Sequence, residues 1–374
     1  MTITTPISTP TPSRDIPKLG NLPVISITPF LSKEDSHGRL STAAKIHAAC
    51  LEYGFFYLDI CSYVDPSEPE ELTRLAREFF ALPEEQKGQI SLKHQDHARG
   101  YAKMRENVTN GKADNHEGID FYRPVENPDK TKPLWGENQW PTIPGFREKY
   151  EIWIEKMKNL GMLVMEAMAL GLGMSSDEWE DLKGKVDDSF WVMRVIGYPP
   201  LPNDYDGFSC GAHKDYGCLT FLYTDPTPGA LQVFLQEKGL LVETSDEGPV
   251  PEEGVEEGSW INADPVPGCI VCNIGEMWEI WTNGLYKSTL HRVVHRGTNY
   301  RLIHSTSVSI PFFFEPNFDA LVKPLPAALR IIDGHPECKR KHLTGEKTYE
   351  PVVYGEFLMN KVGNNFDTDG GKYN

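Results

Sequence analysis

Apolar positions recur at helical spacing in the first half of the chain. In the second half they gather into short runs cut by Gly, Pro, Asn and Asp. Residues 41–53 carry an apolar helical face that stops before Gly54, and 54–60 (GFFYLDI) reads as a strand. Over 69–81, Leu72, Leu75, Ala76, Phe79 and Phe80 share one helical face, and Pro83 opens the next turn. The longest helix is predicted over 146–171, where Trp153, Met157, Leu160, Val164 and Met168 return at steps of three or four. A short β-like run, LPVISITPF, begins ordered structure at 22. From about residue 188, SFWVMRVIGY, CLTFLYT, GALQVFL, GCIVCNIG, STLHRVVH and VSIPFFF follow one another as short strands. That pattern predicts a sandwich or barrel.

The remaining segments are weakly patterned. Residues 1–21 read as a flexible arm, the acidic stretch 243–257 as a solvated loop between strands, and 331–374 as a C-terminal extension. Between them lie a helix-and-strand region, 22–150, and a core of one long helix followed by strands, 151–330. No repeat or strong linker divides the chain.

Composition narrows the possibilities. The chain has 374 residues, 39% of them hydrophobic and 11% aromatic, so it can bury a sizeable core. Lys and Arg number 37 against 54 Asp and Glu, a net charge of −17. Such a surface repels phosphate backbones and anionic lipid heads, which argues against nucleic-acid or membrane binding as the main activity. No apolar run approaches the roughly 20 residues a bilayer requires. Seven scattered cysteines fit free thiols in a reducing compartment. The expectation is a cytoplasmic globular protein, at this size most often an enzyme, as a monomer or weak homo-oligomer.

The chemistry concentrates in GAHKDYGCLTFLY (211–223). His213 and Asp215 are two apart beside a strand-like run, so on an extended chain they face the same side. With a third ligand, a neutral imidazole and a carboxylate form the 2-His-1-carboxylate face that suits non-haem Fe(II). His94-Gln95-Asp96 repeats the spacing but lies in a polar stretch without strand alternation, and is set aside. The third ligand is sought in YKSTLHRVVH, which holds both His291 and His295. In a strand they face the same way but stand about 13 Å apart, so only one can join a given metal. The residues themselves leave the choice open.

Several motifs, in order, carry a family resemblance: LPVISI, ACLEYGFFYL, FFALPEEQK, MRVIGYPP, the HKD strand, LQV, PGCIVCNIGEMWEIWTNGLYKSTLHRV and PFFFEP. The stretch from about 22 to 325 resembles the isopenicillin-N-synthase-like group of Fe(II)- and 2-oxoglutarate-dependent dioxygenases. The resemblance implies a mainly β fold with α elements: a double-stranded β-helix (jelly roll) core with N-terminal helices packed around it. It implies Fe(II), 2-oxoglutarate and O2, a metal triad His213, Asp215 and His291, and His295 as a bystander. It further implies hydroxylation or desaturation of a small organic molecule, in secondary metabolism, with release of succinate and CO2. The alternatives kept open are an Fe(II)/O2 oxidase without 2-oxoglutarate and a non-catalytic iron- or ligand-binding relative.

The family holds the distal carboxylate of 2-oxoglutarate with an Arg and a Ser spaced R-x-S. Arg301 lies ten residues after His291, as expected, but position 303 is Ile. Counting back from PFFFEP places the Ser at Ser309 and the Arg position at Ser307. Six residues, LIHSTS, therefore stand in excess. The reading adopted is that they loop out and Arg301 still caps the cosubstrate. Tyr198 matches a family tyrosine near that carboxylate. Substrate contacts are expected among Phe121, Tyr122, Arg123, Phe221, Trp278 and Phe312. Cys269-x-x-Cys272 is read as structural, because its strand parity sends the thiols to opposite faces.

Overall fold

A computed structural model describes residues 22–109, 112–200, 206–236, 258–296, 306–334 and 349–363. The expected arm 1–21 and acidic loop 243–257 lie outside these residues, as does Arg301. So does part of the C-terminal extension, whose described portion includes a helix at Tyr354–Gly363.

Two sheets face each other. The larger has eight strands, in spatial order Val24–Ser26, Phe55–Asp59, Cys269–Ile274, Leu219–Thr224, Ser307–Phe314, Val192–Tyr198, Glu117–Tyr122 and Gly100–Ala102. The smaller has four: Gly258–Asn262, Leu231–Gln236, His291–Arg296 and Asp206–His213. Pairing is antiparallel except between the first two strands. This is a jelly roll, with helices covering the outer face of the larger sheet.

The predicted helices form at Ser36–Glu52, Ser67–Phe80 and Phe146–Gly171. In the longest, Trp153, Met157, Leu160, Val164 and Met168 are all buried. Full burial of side chains this size contributes roughly 1.5–3 kcal/mol each. Two glycines let helices approach the sheet. A Cβ at Gly161 would stand 2.2 Å from the Phe314 ring, and one at Gly197 would stand 2.7 Å from Phe80. The first half also supplies more strand than its helical periodicity suggests. Phe55–Asp59 and Glu117–Tyr122 are interleaved with strands from beyond residue 188, so the large sheet draws on both segments.

Cys269 and Cys272 occupy different apolar clusters on opposite faces of their strand, and both thiols are free. Among the described residues, no helix is long and apolar enough to cross a membrane.

Candidate metal centre

The strand Asp206–His213 ends at a histidine, and the chain then turns. The neighbouring strand begins with another: His291 is the ladder partner of His213. Their rings are 4.3 Å apart between centroids. Asp215, in the turn, sends Oδ1 towards both, 3.8 Å from His213 Nε2 and 3.7 Å from His291 Nε2. One donor atom from each of the three lies within 4.8 Å of the others. The backbone of His295 pairs with Gly207, four residues further along the strand.

Backbone carbonyls choose the tautomers. His213 Nδ1 is 2.8 Å from Gly211 O, and His291 Nδ1 is 3.1 Å from Thr289 O. A carbonyl only accepts, so each Nδ1 carries the hydrogen and each Nε2 presents a lone pair. Burial, helped by neighbouring His213, pushes the pKa of His291 down to about 4. Its imidazole is therefore neutral near pH 7, as a metal ligand must be. Burial opposes ionisation of Asp215, but the two imidazoles and the bonds from Thr220 and Asn273 hold its pKa below the usual carboxylate value. Burial opposes charge on His213, but Cys210 and Asp215 raise its pKa to about 10, so a bound cation would displace a proton there. Two imidazoles and one carboxylate on one face, with space opposite, fit a ferrous ion.

The turn bearing Asp215 is gripped from one side. The backbone N–H groups of Gly275, Glu276 and Met277 donate to Cys218 O, Asp215 O and Gly217 O. Gly275 must be small here, since a Cβ would stand 2.2 Å from Gly217 O. Ser288 Oγ adds a bond to Asp215 O at 3.2 Å.

A cavity runs from the triad between the sheets, lined by Tyr198, Ser309, Thr224, Asp225 and Arg194. Tyr198 and Ser309 are thus buried but face the space where a cosubstrate would lie. Ser307, the counted-back Arg position, donates to Asp225 Oδ1 at 2.6 Å. The other oxygen of Asp225 pairs with Arg77 at 2.6 Å, so this network anchors the start of the strand. A second cavity opens outward from His213 and Asp215, past Asp114, Asp120, Tyr122, Glu315 and Tyr354.

Four expected substrate contacts are corrected by strand parity and burial. In Leu219–Thr224 the even positions Thr220, Leu222 and Thr224 face the cavity, and Phe221 points into the core. Likewise Ser309, Pro311 and Phe313 face inward, whereas Phe312 stacks against Trp191 on the helix side. Phe121 stacks on Trp140 at 4.1 Å, and Trp278 packs against Trp281; both are fully buried. A fifth, Arg123, pairs with Asp188 in a separate surface groove. Of the six, Tyr122 alone borders the cavities next to the triad. Thr220, Asn273, Arg194 and Glu315 were not singled out from sequence. Alternation counted from Asp215 marks Phe221 rather than Thr220, because the turn before Leu219 resets the parity, and Asn273 stands out only as a polar residue in an apolar run.

Glu315 provides a test of this interior. It is buried, accepts from Cys218 N at 2.7 Å, and sits where a Cβ on Gly217 would be. Burial pushes its pKa up to about 8. The folded chain therefore keeps this proton while the unfolded chain loses it near about pH 4.3. That contribution is complete at low pH and is lost as pH rises through 8. Glu315→Gln should melt like the parent near about pH 5 and be more stable by about 2–4 kcal/mol near about pH 9. Thermal melts of metal-free protein check this; a gap that stays constant with pH would refute it.

The chain resembles known proteins in sequence and fold. Residues 22–143 match the family model for the non-haem dioxygenase in morphine synthesis N-terminal region, and residues 188–316 match that of the 2OG-Fe(II) oxygenase superfamily. A homoarginine-6-hydroxylase of Oryza sativa subsp. japonica is 37% identical over 92% of this chain and 97% of its own length. A 2OG-Fe(II) oxygenase family structure from Caulobacter crescentus superposes with a TM-score of 0.71 at 26% identity, covering 92% of this chain and 99% of that one. A full-length Neurospora crassa protein solved in complex with alpha-KG gives 0.70 at 25% identity, covering 91% and 95%.

Proposed function

The chain belongs to the 2OG-Fe(II) oxygenase superfamily, and from that premise we propose that His213, Asp215 and His291 hold its Fe(II) and that it hydroxylates a small cationic amino acid of the homoarginine type. The enzyme is a dioxygenase that uses Fe(II), 2-oxoglutarate and O2. The metal reading is carried by one observation: two Nε2 atoms and one carboxylate oxygen converge with their remaining polar atoms already bonded elsewhere.

When bound, the ion supplies oxidative decarboxylation of 2-oxoglutarate by O2, coupled to oxidation of the substrate. The protein orients and shields. Tyr198 and Ser309 are assigned to the cosubstrate, with Arg301 as the guanidinium for its distal carboxylate. The placement of Tyr198 and Ser309 between two sheets excludes water from the reacting region. The outer cavity admits the substrate. Of its carboxylates, Asp120 pairs with Arg194 at 2.8 Å and Asp114 accepts from Gly211 N at 3.3 Å, while its lysines Lys214 and Lys361 lie against Glu279 and Glu276, so the substrate class is carried by the relatives. Several relatives at 36–37% identity are homoarginine-6-hydroxylases, which supports the same class.

The test supplies purified protein with Fe(II), 2-oxoglutarate and homoarginine under air. Succinate should form in step with a product heavier by one oxygen atom. Succinate formation that homoarginine does not stimulate would overturn the substrate class. Iron binding without any succinate would overturn the catalytic reading.

A further inference from the structure

We propose that Thr220 and Asn273 are positioning residues that confine Asp215 to one metal-facing oxygen. The inference rests on the assignment of Asp215 as a ligand. Asp215 has two oxygens with different surroundings. Oδ1 faces the two Nε2 atoms. Oδ2 accepts from Thr220 Oγ1 at 2.5 Å and from Asn273 Nδ2 at 2.6 Å.

These donors lie 5 and 58 residues from Asp215 in the chain, on two strands. Thr220 and Asn273 are nevertheless direct ladder partners, so the register of the large sheet delivers hydroxyl and amide to the same point. All three residues are buried, so no bulk water substitutes for a lost donor.

The consequence concerns the open face. A carboxylate can bind a cation through one oxygen or both. With both Oδ2 bonds made, rotation that would bring Oδ2 to the metal must break two short, charge-assisted bonds. Single-oxygen binding leaves three positions of an octahedron for 2-oxoglutarate and O2, and two-oxygen binding leaves two. The pair thus protects the coordination site that the reaction needs, in addition to orienting the ligand.

Co(II) is the probe, added to the full-length, metal-free protein, with affinity and visible absorption as the readouts. Thr220→Val keeps the shape and deletes the donor; Thr220→Ser keeps the donor. Outer partners of metal ligands typically contribute about 10–100-fold in affinity. Thr220→Val and Asn273→Ala should therefore bind Co(II) about 10–100-fold more weakly, with a shifted visible band, while Thr220→Ser restores both affinity and band. Wild-type affinity and spectrum in Thr220→Val would overturn the inference. Equal weakening in the Val and Ser variants would also overturn it, because packing rather than the hydroxyl would then be responsible. A His291→Ala control separates the two layers. If it binds Co(II) as wild type does, the ligand assignment itself fails; if it loses binding, that assignment stands and the Thr220 variants decide.

Discussion

His291→Ala is expected to abolish Fe(II) binding and turnover, whereas His295→Ala should retain both. Only His291 lies opposite His213 in the ladder, with Nε2 3.7 Å from Asp215 Oδ1. The backbone of His295 is four residues further on, opposite Gly207. At about 3.3 Å per residue, that displacement is about 13 Å, beyond any metal–ligand bond. Because even outer partners of metal ligands typically contribute about 10–100-fold, losing His291 should weaken iron binding by more than about 100-fold. Anaerobic equilibrium titration with Fe(II) reads the affinity and succinate formation reads turnover. Loss of iron in the His295 variant, with retention in the His291 variant, would reverse the assignment.

The second large effect falls far from the metal, on stability. Asp96→Ala should destabilise the fold by about 3–5 kcal/mol, the range for breaking a buried ion pair. Asp96 and Arg99 are fully buried and paired through Oδ2 and Nη1. Asp96 Oδ1 also accepts from Ala98 N and Arg99 N, and Oδ2 accepts from Gly136 N at 2.8 Å. Removing it strands a guanidinium in the interior and releases three backbone donors at once. Burial already disfavours the charged form of Arg99, and Asp96 opposes that effect. Denaturant unfolding measures the loss. Fe(II) affinity of the folded variant should be unchanged, since the His94-Gln95-Asp96 stretch forms no part of the triad. A stability change under about 1 kcal/mol would place the pair among those of little net value.

The contrast between these two sites shows what the sequence could reveal. His213 and Asp215 were legible because two residues on one extended segment fix their relation locally. His291 was not separable from His295 by residue physics, because the ladder that distinguishes them pairs the strand with another strand about 80 residues earlier. Asn273 was hidden for the same reason: its relation to Asp215 exists only through the register with Thr220. The aromatic candidates failed for a different cause. A strand covered on both faces shows too weak a polar alternation to reveal its orientation. Phe221 and Phe312 lie against the helices, and the cavity face is built from Thr220, Thr224 and Ser309 instead. Local periodicity was enough for the helix at Phe146–Gly171 because one element carries its whole signal.

Crystals of the full chain loaded anaerobically with Fe(II), measured on both sides of the iron absorption edge, test the central claim most directly. The account predicts a single anomalous peak within bonding distance of His213 Nε2, Asp215 Oδ1 and His291 Nε2, with Asp215 Oδ2 still bonded to Thr220 and Asn273. A peak centred elsewhere, or one that leaves any of the three ligands unbonded, would contradict it.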